Sequence, residues 1–181
     1  MKACFTGHRP EKLGGYDWGT QQNKNLLKSL YNVVRDVIPQ RHIDTLYFGG
    51  ALGIDQMTFE MVKKYQENNY YDLQIILAIP FKNQPSKWHG HSDVKRYNSQ
   101  IRLADKIIYV DEIEGYKFDK VAVGEYHPYK LQLRNQYMVD NSDIVLAIWN
   151  GSSGGTANCI KYAQKMGKKV IIFDPKNMMK G

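Results

Sequence analysis

The sequence is poor in cysteine and contains no long hydrophobic run. Cys4 and Cys159 are its only cysteines in 181 residues. Two thiols so far apart do not make a disulfide framework or a four-thiolate zinc site, so both are expected to be reduced and buried. No stretch approaches the roughly eighteen apolar residues that a bilayer span needs, and no signal-like segment precedes Gly7 and His8. These absences favour a cytoplasmic protein without a membrane partner.

The sequence also lacks any block of like charge. Lysine and arginine number 25 against 18 aspartates and glutamates, for a formal net charge of +7. The basic residues are scattered, without the run of about five that marks a basic arm. The charge makes a phosphate-bearing partner plausible without choosing a nucleotide over a nucleic acid. With 43% apolar and 24% charged residues, the composition predicts an ordered globular chain, residues 1–181 forming a single domain.

Short apolar runs alternate with helical patterns along the chain. The runs typical of buried strands are Ala3–Phe5, Leu46–Phe48, Leu73–Ile79, Ile107–Val110, Ile144–Trp149 and Val170–Phe173. Apolar residues at helical spacing follow or precede them, within 26–38, 54–65, 94–104 and 157–164. Pro39 is expected to end the first helix and Gly167 to stop the last. The alternation predicts an α/β, Rossmann-like fold with a mostly parallel sheet and helices on both faces.

Glycine and small hydroxyl residues crowd the loops that follow the strands, where open sheets bind ligands. The three loops are Thr6–Pro10, Gly49–Asp55 and Asn150–Thr156. Gly154, Gly155 and Thr156 would offer amides and a hydroxyl to a phosphate, and Gly50 with Gly53 would do something similar. The alternative is that both are tight turns with ordinary helix caps. Neither loop is a Walker sequence or a dinucleotide fingerprint.

Arg134 and Asn135 occupy a helical stripe that otherwise looks buried. Leu131 and Met138 lie seven residues apart and define that stripe. A guanidinium among apolar side chains is costly unless it is paired, whereas at a sheet edge it would bind a phosphate or carboxylate. The pattern therefore points to a site. The alternative is an internal ion pair, for which the candidate partners are Asp140, Asp55 and Glu125.

The loop after the first strand adds two candidate ligand contacts. Arg9 would hold a phosphate and His8 a ribose or a base; the alternative is a plain loop before Pro10 in which the arginine is solvated. The segment His89–Asp93 contains two histidines, but nothing nearby completes a ligand set, so no metal and no cofactor are expected.

The segment Asp111–Tyr129 has no clean period and is longer than most connections. Such segments are often lids or binding loops. One of its aromatic residues, or Trp88, would be able to stack on a nucleobase. The alternative is that its tyrosines pack on the core.

Taken together, five motifs resemble the YpsA-like family of the SLOG superfamily. They are Thr6–Pro10, Gly49–Asp55, Trp88 with Tyr97 and Ala104–Asp105, Arg134–Asp140, and Gly154–Thr156. The resemblance covers nearly the whole chain. It implies a Rossmann-like fold whose strand-end pocket binds a nucleotide or a nucleotide-derived ligand.

Two relatives within that superfamily imply different activities. Phosphoribohydrolases of the LOG type join an arginine four residues before a methionine to a glycine-rich loop with a glutamate. Arg134 and Met138 match the first part and Gly155–Thr156 the second, but the glutamate position is Cys159. A carboxylate there would stabilise the cationic sugar as the glycosidic bond breaks. The other relative, DNA-processing protein A, has a loop similar to Gly49–Asp55 and binds single-stranded DNA.

We predict a protein that binds a nucleotide or nucleotide-sugar ligand in a phosphate pocket. The expected ligand-binding residues are Thr6, Gly7, His8, Arg9, Gly49, Gly50, Gly53, Asp55, Arg134, Asn135, Gly154, Gly155 and Thr156. One alternative is a nucleotide hydrolase that uses the carboxylate of Asp55, Asp140 or Glu125. The other is a protein that binds single-stranded nucleic acid. The oligomeric state is left open, a homodimer included.

Overall fold

The structure is a computed structural model that describes residues 1–180, in which six strands and six α-helices alternate. The elements are β1 (Lys2–Gly7), α1 (Gln21–Gln40), β2 (Thr45–Phe48), α2 (Ile54–Asn69), β3 (Gln74–Ile79), α3 (His91–Leu103), β4 (Lys106–Tyr109), α4 (Pro128–Asp140), β5 (Ile144–Ile148), α5 (Gly155–Lys165), β6 (Lys169–Phe173) and α6 (Pro175–Met178). Short 3-10 helices span Pro10–Lys12, Gln84–Lys87 and Val110–Glu112. The predicted Rossmann-like α/β fold is confirmed.

The strands form one parallel sheet in the order β4-β3-β2-β1-β5-β6. β1 is central: Ala3 pairs with Leu46 of β2, and Cys4 pairs with Val145 of β5. From β1 the chain builds the sheet outward in one direction through β2, β3 and β4, and later in the other through β5 and β6. The carboxyl ends of β1 and β5 therefore flank the point where strand order reverses, which is where open α/β sheets hold ligands.

Helices cover both faces of the sheet. On one face, Val34 of α1, Phe59 of α2 and Tyr97 of α3 join the core. On the other, Met138 of α4 and Cys159 of α5 pack against the strands. Strands of a parallel sheet read as continuous apolar runs, which is why the sequence predicts every strand end to within two residues. None of the helices described is long and apolar enough to cross a membrane.

α1 continues one residue beyond the expected end. Thr20 begins the helix by accepting a hydrogen bond from the Asn23 amide, and Pro39 lies within the last turn instead of ending it. A proline there removes one hydrogen bond, and the helix ends at Gln40 because Ile43 turns back to bond the Ile38 carbonyl.

Candidate functional site

A cavity of about 400 Å³ opens at the carboxyl ends of β1 and β5. Its wall combines the loop after β1, the amino end of α2, one side of α4 and the amino end of α5. The residues of the wall are Thr6, Gly7, His8, Arg9, Glu11, Lys12, Ala51, Asp55, Leu131, Arg134, Asn135, Met138, Ser153, Gly154, Gly155 and Thr156. The volume falls within the range of pockets that hold small molecules.

Most of the predicted ligand-binding residues lie in this wall. They are Thr6, Gly7, His8, Arg9, Asp55, Arg134, Asn135, Gly154, Gly155 and Thr156. Gly49, Gly50 and Gly53 do not line the cavity. Glu11 and Lys12 also line the cavity, but the sequence prediction did not include them. The signal for them was Pro10, because proline is favoured at the first position of a helix and so indicates that the chain turns at the sheet edge.

The glycine loop after β5 ends in the amino terminus of α5. Gly154 precedes the helix with a φ of 136°, a conformation that favours glycine. The amides of Gly155, Thr156 and Ala157 are in the first turn, so they have no acceptor within the helix. In residues 1–180 no side chain caps this end of α5. The amides and the helix dipole therefore favour an anion in the adjoining cavity.

The second glycine turn uses its amides within the protein. Asp55 Oδ2 accepts hydrogen bonds from the Gly49 amide at 3.1 Å and the Ala51 amide at 3.3 Å. The Ile54 amide donates to the His8 carbonyl at 3.1 Å. At Gly53, with a φ of +85°, a Cβ atom would lie 2.4 Å from that same carbonyl. Gly49, Gly50 and Gly53 therefore belong to a turn that joins two loops, and none of the three lines the cavity.

Arg134 is both an internal ion-pair partner and part of the cavity wall. Its side chain is 6% exposed, and Nη1 lies 3.7 Å from Asp55 Oδ2. Nη1 also donates to the Gly49 carbonyl, and Nε donates to Asn135 Oδ1 at 2.9 Å. The sequence left open an internal ion pair of Arg134, and among its candidate partners the structure places Asp55 beside the guanidinium. Within residues 1–180 Nη2 makes no hydrogen bond, so its two N–H groups have no acceptor in the protein.

Asp55 and Arg134 depend on each other for their charges. Burial raises the pKa of Asp55, and the neighbouring Arg134 guanidinium opposes that rise. Burial lowers the pKa of Arg134, which the Asp55 carboxylate opposes in turn. Removing either side chain would leave a buried charge without its partner, a strongly destabilising change.

His8 links the β1 loop to the β5 loop. Its ring is almost fully buried, and Nε2 lies 3.2 Å from the Asn150 amide nitrogen, from which one tautomer accepts, and 2.8 Å from Asn150 Oδ1, to which the other tautomer donates. The same oxygen accepts a hydrogen bond from the Ser152 amide at 3.1 Å. Burial lowers the pKa of His8 below its ordinary value of 6.5, so the imidazole is neutral at pH 7.

The remaining charged side chains of the wall differ in whether they form hydrogen bonds within the protein. Arg9 is half-buried, and its side chain forms no hydrogen bond or ion pair in the part of the chain that the structure describes. Lys12 bonds the loop after β5. Glu11 accepts a hydrogen bond from the Tyr16 hydroxyl, which lowers the pKa of Glu11. With Arg134 and Asp55, the wall holds three basic and two acidic side chains, a balance suited to an anion.

The carboxylates proposed for hydrolysis are mostly elsewhere. Asp140 accepts hydrogen bonds from Tyr116 and Tyr162, and neither Asp140 nor Glu125 lines the cavity. Cys159 is fully buried, and burial raises its pKa to about 11. A neutral thiol outside the wall does not replace a carboxylate. Asp55 remains as the one carboxylate of that set beside the cavity.

The segment between β4 and α4 is fastened to the protein at several points. Lys130 Nζ donates to Asp111 Oδ2 at 2.9 Å and to the Ala122 carbonyl at 2.7 Å. The Gly124 amide donates to the same carboxylate oxygen. In residues 1–180 neither the aromatic side chains of this segment nor Trp88 lines the cavity; Trp88 packs edge-on against Tyr97. The cavity wall therefore contains no stacking aromatic from this set, and the alternative that tyrosines of the segment pack on the core describes Tyr116.

Comparisons with known proteins identify the family. The family model YpsA, described as the YspA SLOG family, matches residues 3–172. The chain belongs to the YpsA family of SLOG proteins. It is 35% identical over 147 residues to the uncharacterized SPbeta prophage-derived protein YoqJ of Bacillus subtilis, a match covering 80% of this chain and 85% of YoqJ. It is 22% identical over 151 residues to a UPF0398 protein of Shouchella clausii, covering 83% of this chain and 74% of that protein.

Solved structures share the fold at low sequence identity. DNA processing protein A from Streptococcus pneumoniae aligns with a TM-score of 0.59 and 13% identity over 94% of this chain and 49% of that one. This chain therefore spans about half the length of the Streptococcus protein. The Helicobacter pylori protein of the same name, studied for its unique single-stranded DNA binding mode, aligns with a TM-score of 0.56 and 14% identity over 98% and 70%. Both alignments show the Rossmann-like fold.

Proposed function

We propose that this protein binds a nucleotide or a nucleotide-derived small molecule in the cavity at the ends of β1 and β5. The observation that carries the proposal is the meeting of uncapped α5 amides with Arg9 and Arg134 in one wall of about 400 Å³. Amides at a helix amino terminus and guanidinium groups are two of the strongest protein donors to phosphate. The location at the reversal of strand order agrees with this assignment.

The wall offers distinct groups for the two ends of such a ligand. The amides of Gly155 and Thr156 would bind phosphate, and the unpaired Arg9 would neutralise it. The Asn135 amide nitrogen and Asp55 Oδ1 make no hydrogen bond within residues 1–180, so they would be free to bind sugar hydroxyls. Leu131 and Met138 supply an apolar surface in the same wall.

Gly155→Glu is a sharp test because this glycine tolerates a side chain. Gly155 is exposed, and a Cβ atom there would have no neighbour within 4 Å. A glutamate in the first turn is compatible with the helix dipole, yet it places a negative charge where phosphate would bind. We expect the affinity for AMP, ADP and ADP-ribose, measured by calorimetry, to fall more than about tenfold, since opposed like charges cost several kcal/mol.

Ser92→Glu is the matched control. Ser92 is exposed in the first turn of α3 and lies outside the cavity. The substitution therefore adds the same charge at a similar helical position without touching the proposed site. This variant should bind as the wild type does. Equal affinity in the wild type and Gly155→Glu, or no binding of any of the three ligands by the wild type, would contradict the proposal. Arg134→Ala is a poorer test because it leaves Asp55 unpaired.

Single-stranded nucleic acid is a second candidate ligand. Two observations favour it: the single-stranded DNA binding of the Helicobacter neighbour and the net charge of +7. Such binding depends on many phosphate contacts and falls steeply with salt. This dependence separates the two candidates.

A further inference from the structure

Lys12 connects the first loop of the cavity to the glycine loop that precedes α5. Its ammonium donates to Ser152 Oγ at 2.9 Å and to the Ser153 carbonyl at 2.7 Å, across about 140 residues of sequence. A Cβ atom at Gly154 would lie 3.6 Å from Nζ. The charge of Lys12 therefore lies beside the residue from which the uncapped α5 amides begin.

The loop that Lys12 contacts has little else to fix its final residues. Gly151 and Gly154 have φ angles of +89° and +136°, and glycine at both positions makes the unfolded loop flexible. Trp149 Nε1 donates to the Ser152 carbonyl at 2.8 Å, which secures the first half of the loop. Within residues 1–180, the bond from Lys12 is the side-chain contact that secures Ser153.

We propose that Lys12 has two roles: it holds the glycine loop in its anion-binding conformation, and it contributes one N–H donor to the terminal phosphate of the ligand. An ammonium has three donors, and the two serines occupy two of them. Lys12 lines the cavity, so the third donor is available there. The second role rests on the proposed function, whereas the first concerns the protein without ligand.

Hydrogen–deuterium exchange of the free protein tests the first role. Lys12→Met removes both bonds to the loop with little change of side-chain size. We expect faster exchange of the amides in residues 151–156 than in the wild type. Lys24→Met, at an exposed lysine of α1, removes the same charge and should leave that exchange unchanged. Unchanged exchange in Lys12→Met would overturn this role.

Calorimetry with AMP and adenosine tests the second role. Lys12→Met should weaken AMP binding about 10- to 100-fold, the usual range for losing a hydrogen bond to a charged group, while adenosine binding changes little. Lys12→Arg keeps the charge and should restore much of the AMP affinity. A phosphorus NMR resonance of bound AMP that is identical in wild type and Lys12→Arg would contradict direct contact.

The outcomes separate this inference from the proposed function. If the wild type binds AMP and Lys12→Met binds it equally well, the phosphate contact is wrong and the proposed function stands. If AMP and adenosine lose affinity equally, the effect of Lys12 is not specific to the phosphate and the contact is again wrong. If the wild type binds none of AMP, ADP and ADP-ribose, the proposed function and the contact fail together, and exchange still decides the role of Lys12 in the loop.

Discussion

His8 is the cavity residue whose protonation most directly couples site structure to stability. The ring is 4% exposed, and its hydrogen bond to Asn150 joins the β1 and β5 loops. Burial lowers its pKa because a charged imidazolium loses hydration inside the protein. In the unfolded chain the ring regains its ordinary pKa of 6.5. Folded and unfolded states therefore bind different numbers of protons below that pH.

The expected consequence is a loss of stability on acidification that His8→Gln reduces. As pH falls from 6.5 toward the lower pKa of folded His8, the unfolded state takes up a proton that the folded state does not. The free energy of unfolding then falls by up to about 1.4 kcal/mol per pH unit from this group. Urea unfolding at several pH values between 7 and the folded pKa should show a shallower decline in His8→Gln.

Exposed His89 provides the control for loss of an imidazole as such. His89→Gln should follow the wild-type pH dependence. Parallel curves for wild type and His8→Gln would show that His8 titrates alike in both states. The absolute stability of His8→Gln is not the readout, since the variant also alters the bond to Asn150.

At the scale of elements, the sequence predicted the sheet better than the roles of the loops. Each strand contains a short apolar run, so the sequence predicts β1 to β6 directly, including the edge strands β4 and β6, which are only partly buried. The two glycine loops look alike in sequence, but Asp55 at the start of α2 turns back onto Gly49 and occupies its amide. That difference depends on tertiary geometry. Lys12 was missed for the same reason, because its partners Ser152 and Ser153 lie far away along the chain.

The connection between β4 and α4 is held by a buried ion pair that no sequence pattern indicated. Lys130 and Asp111 have side chains only 1% exposed. The lack of periodicity predicts only that Asp111 begins a long connection, and nothing in the sequence around Lys130 indicates a buried partner. Lys130 also donates to the Ala122 carbonyl, and Asp111 accepts from the Gly124 amide. The pair therefore fixes the backbone conformation of the connection.

Lys130→Met should therefore be strongly destabilising. It leaves Asp111 as an unpaired buried carboxylate, and breaking such a pair from one side typically costs about 3–5 kcal/mol. Urea unfolding would measure the loss. The double variant Lys130→Met with Asp111→Asn removes both charges and should recover part of it.

An exposed pair gives the contrast. Lys82 and Glu112 are 3.6 Å apart with side chains 61% and 44% exposed, so Lys82→Met should cost less than about 1 kcal/mol. A Lys130→Met variant as stable as Lys82→Met would show that the Lys130 and Asp111 pair is not buried in solution.

At the scale of the whole molecule, charge and topology point to different ligands. The net charge of +7 favours any polyanion. The topology instead concentrates uncapped amides and guanidinium groups in one cavity at the centre of the sheet edge. Many exposed lysines lie on other elements, among them Lys24 and Lys28 of α1, Lys64 of α2 and Lys161 of α5. Dispersed lysines attract a strand without defining a path for it.

Salt dependence decides which description governs binding. A single strand held through about six phosphates should lose roughly 300-fold in affinity between about 50 mM and 200 mM salt, since each contact adds about 0.7 to the logarithmic slope. AMP is not a polyanion and so has no condensed counterions to release. We therefore expect its affinity to fall less than about tenfold over the same range. Fluorescence anisotropy with a labelled oligothymidylate and calorimetry with AMP would give the two slopes.

Gly155→Glu should abolish the AMP signal and leave the low-salt oligonucleotide signal nearly intact, because that signal comes from dispersed lysines. An oligonucleotide affinity that stays high at the upper salt concentration and is lost in Gly155→Glu would instead make nucleic acid the ligand of the cavity.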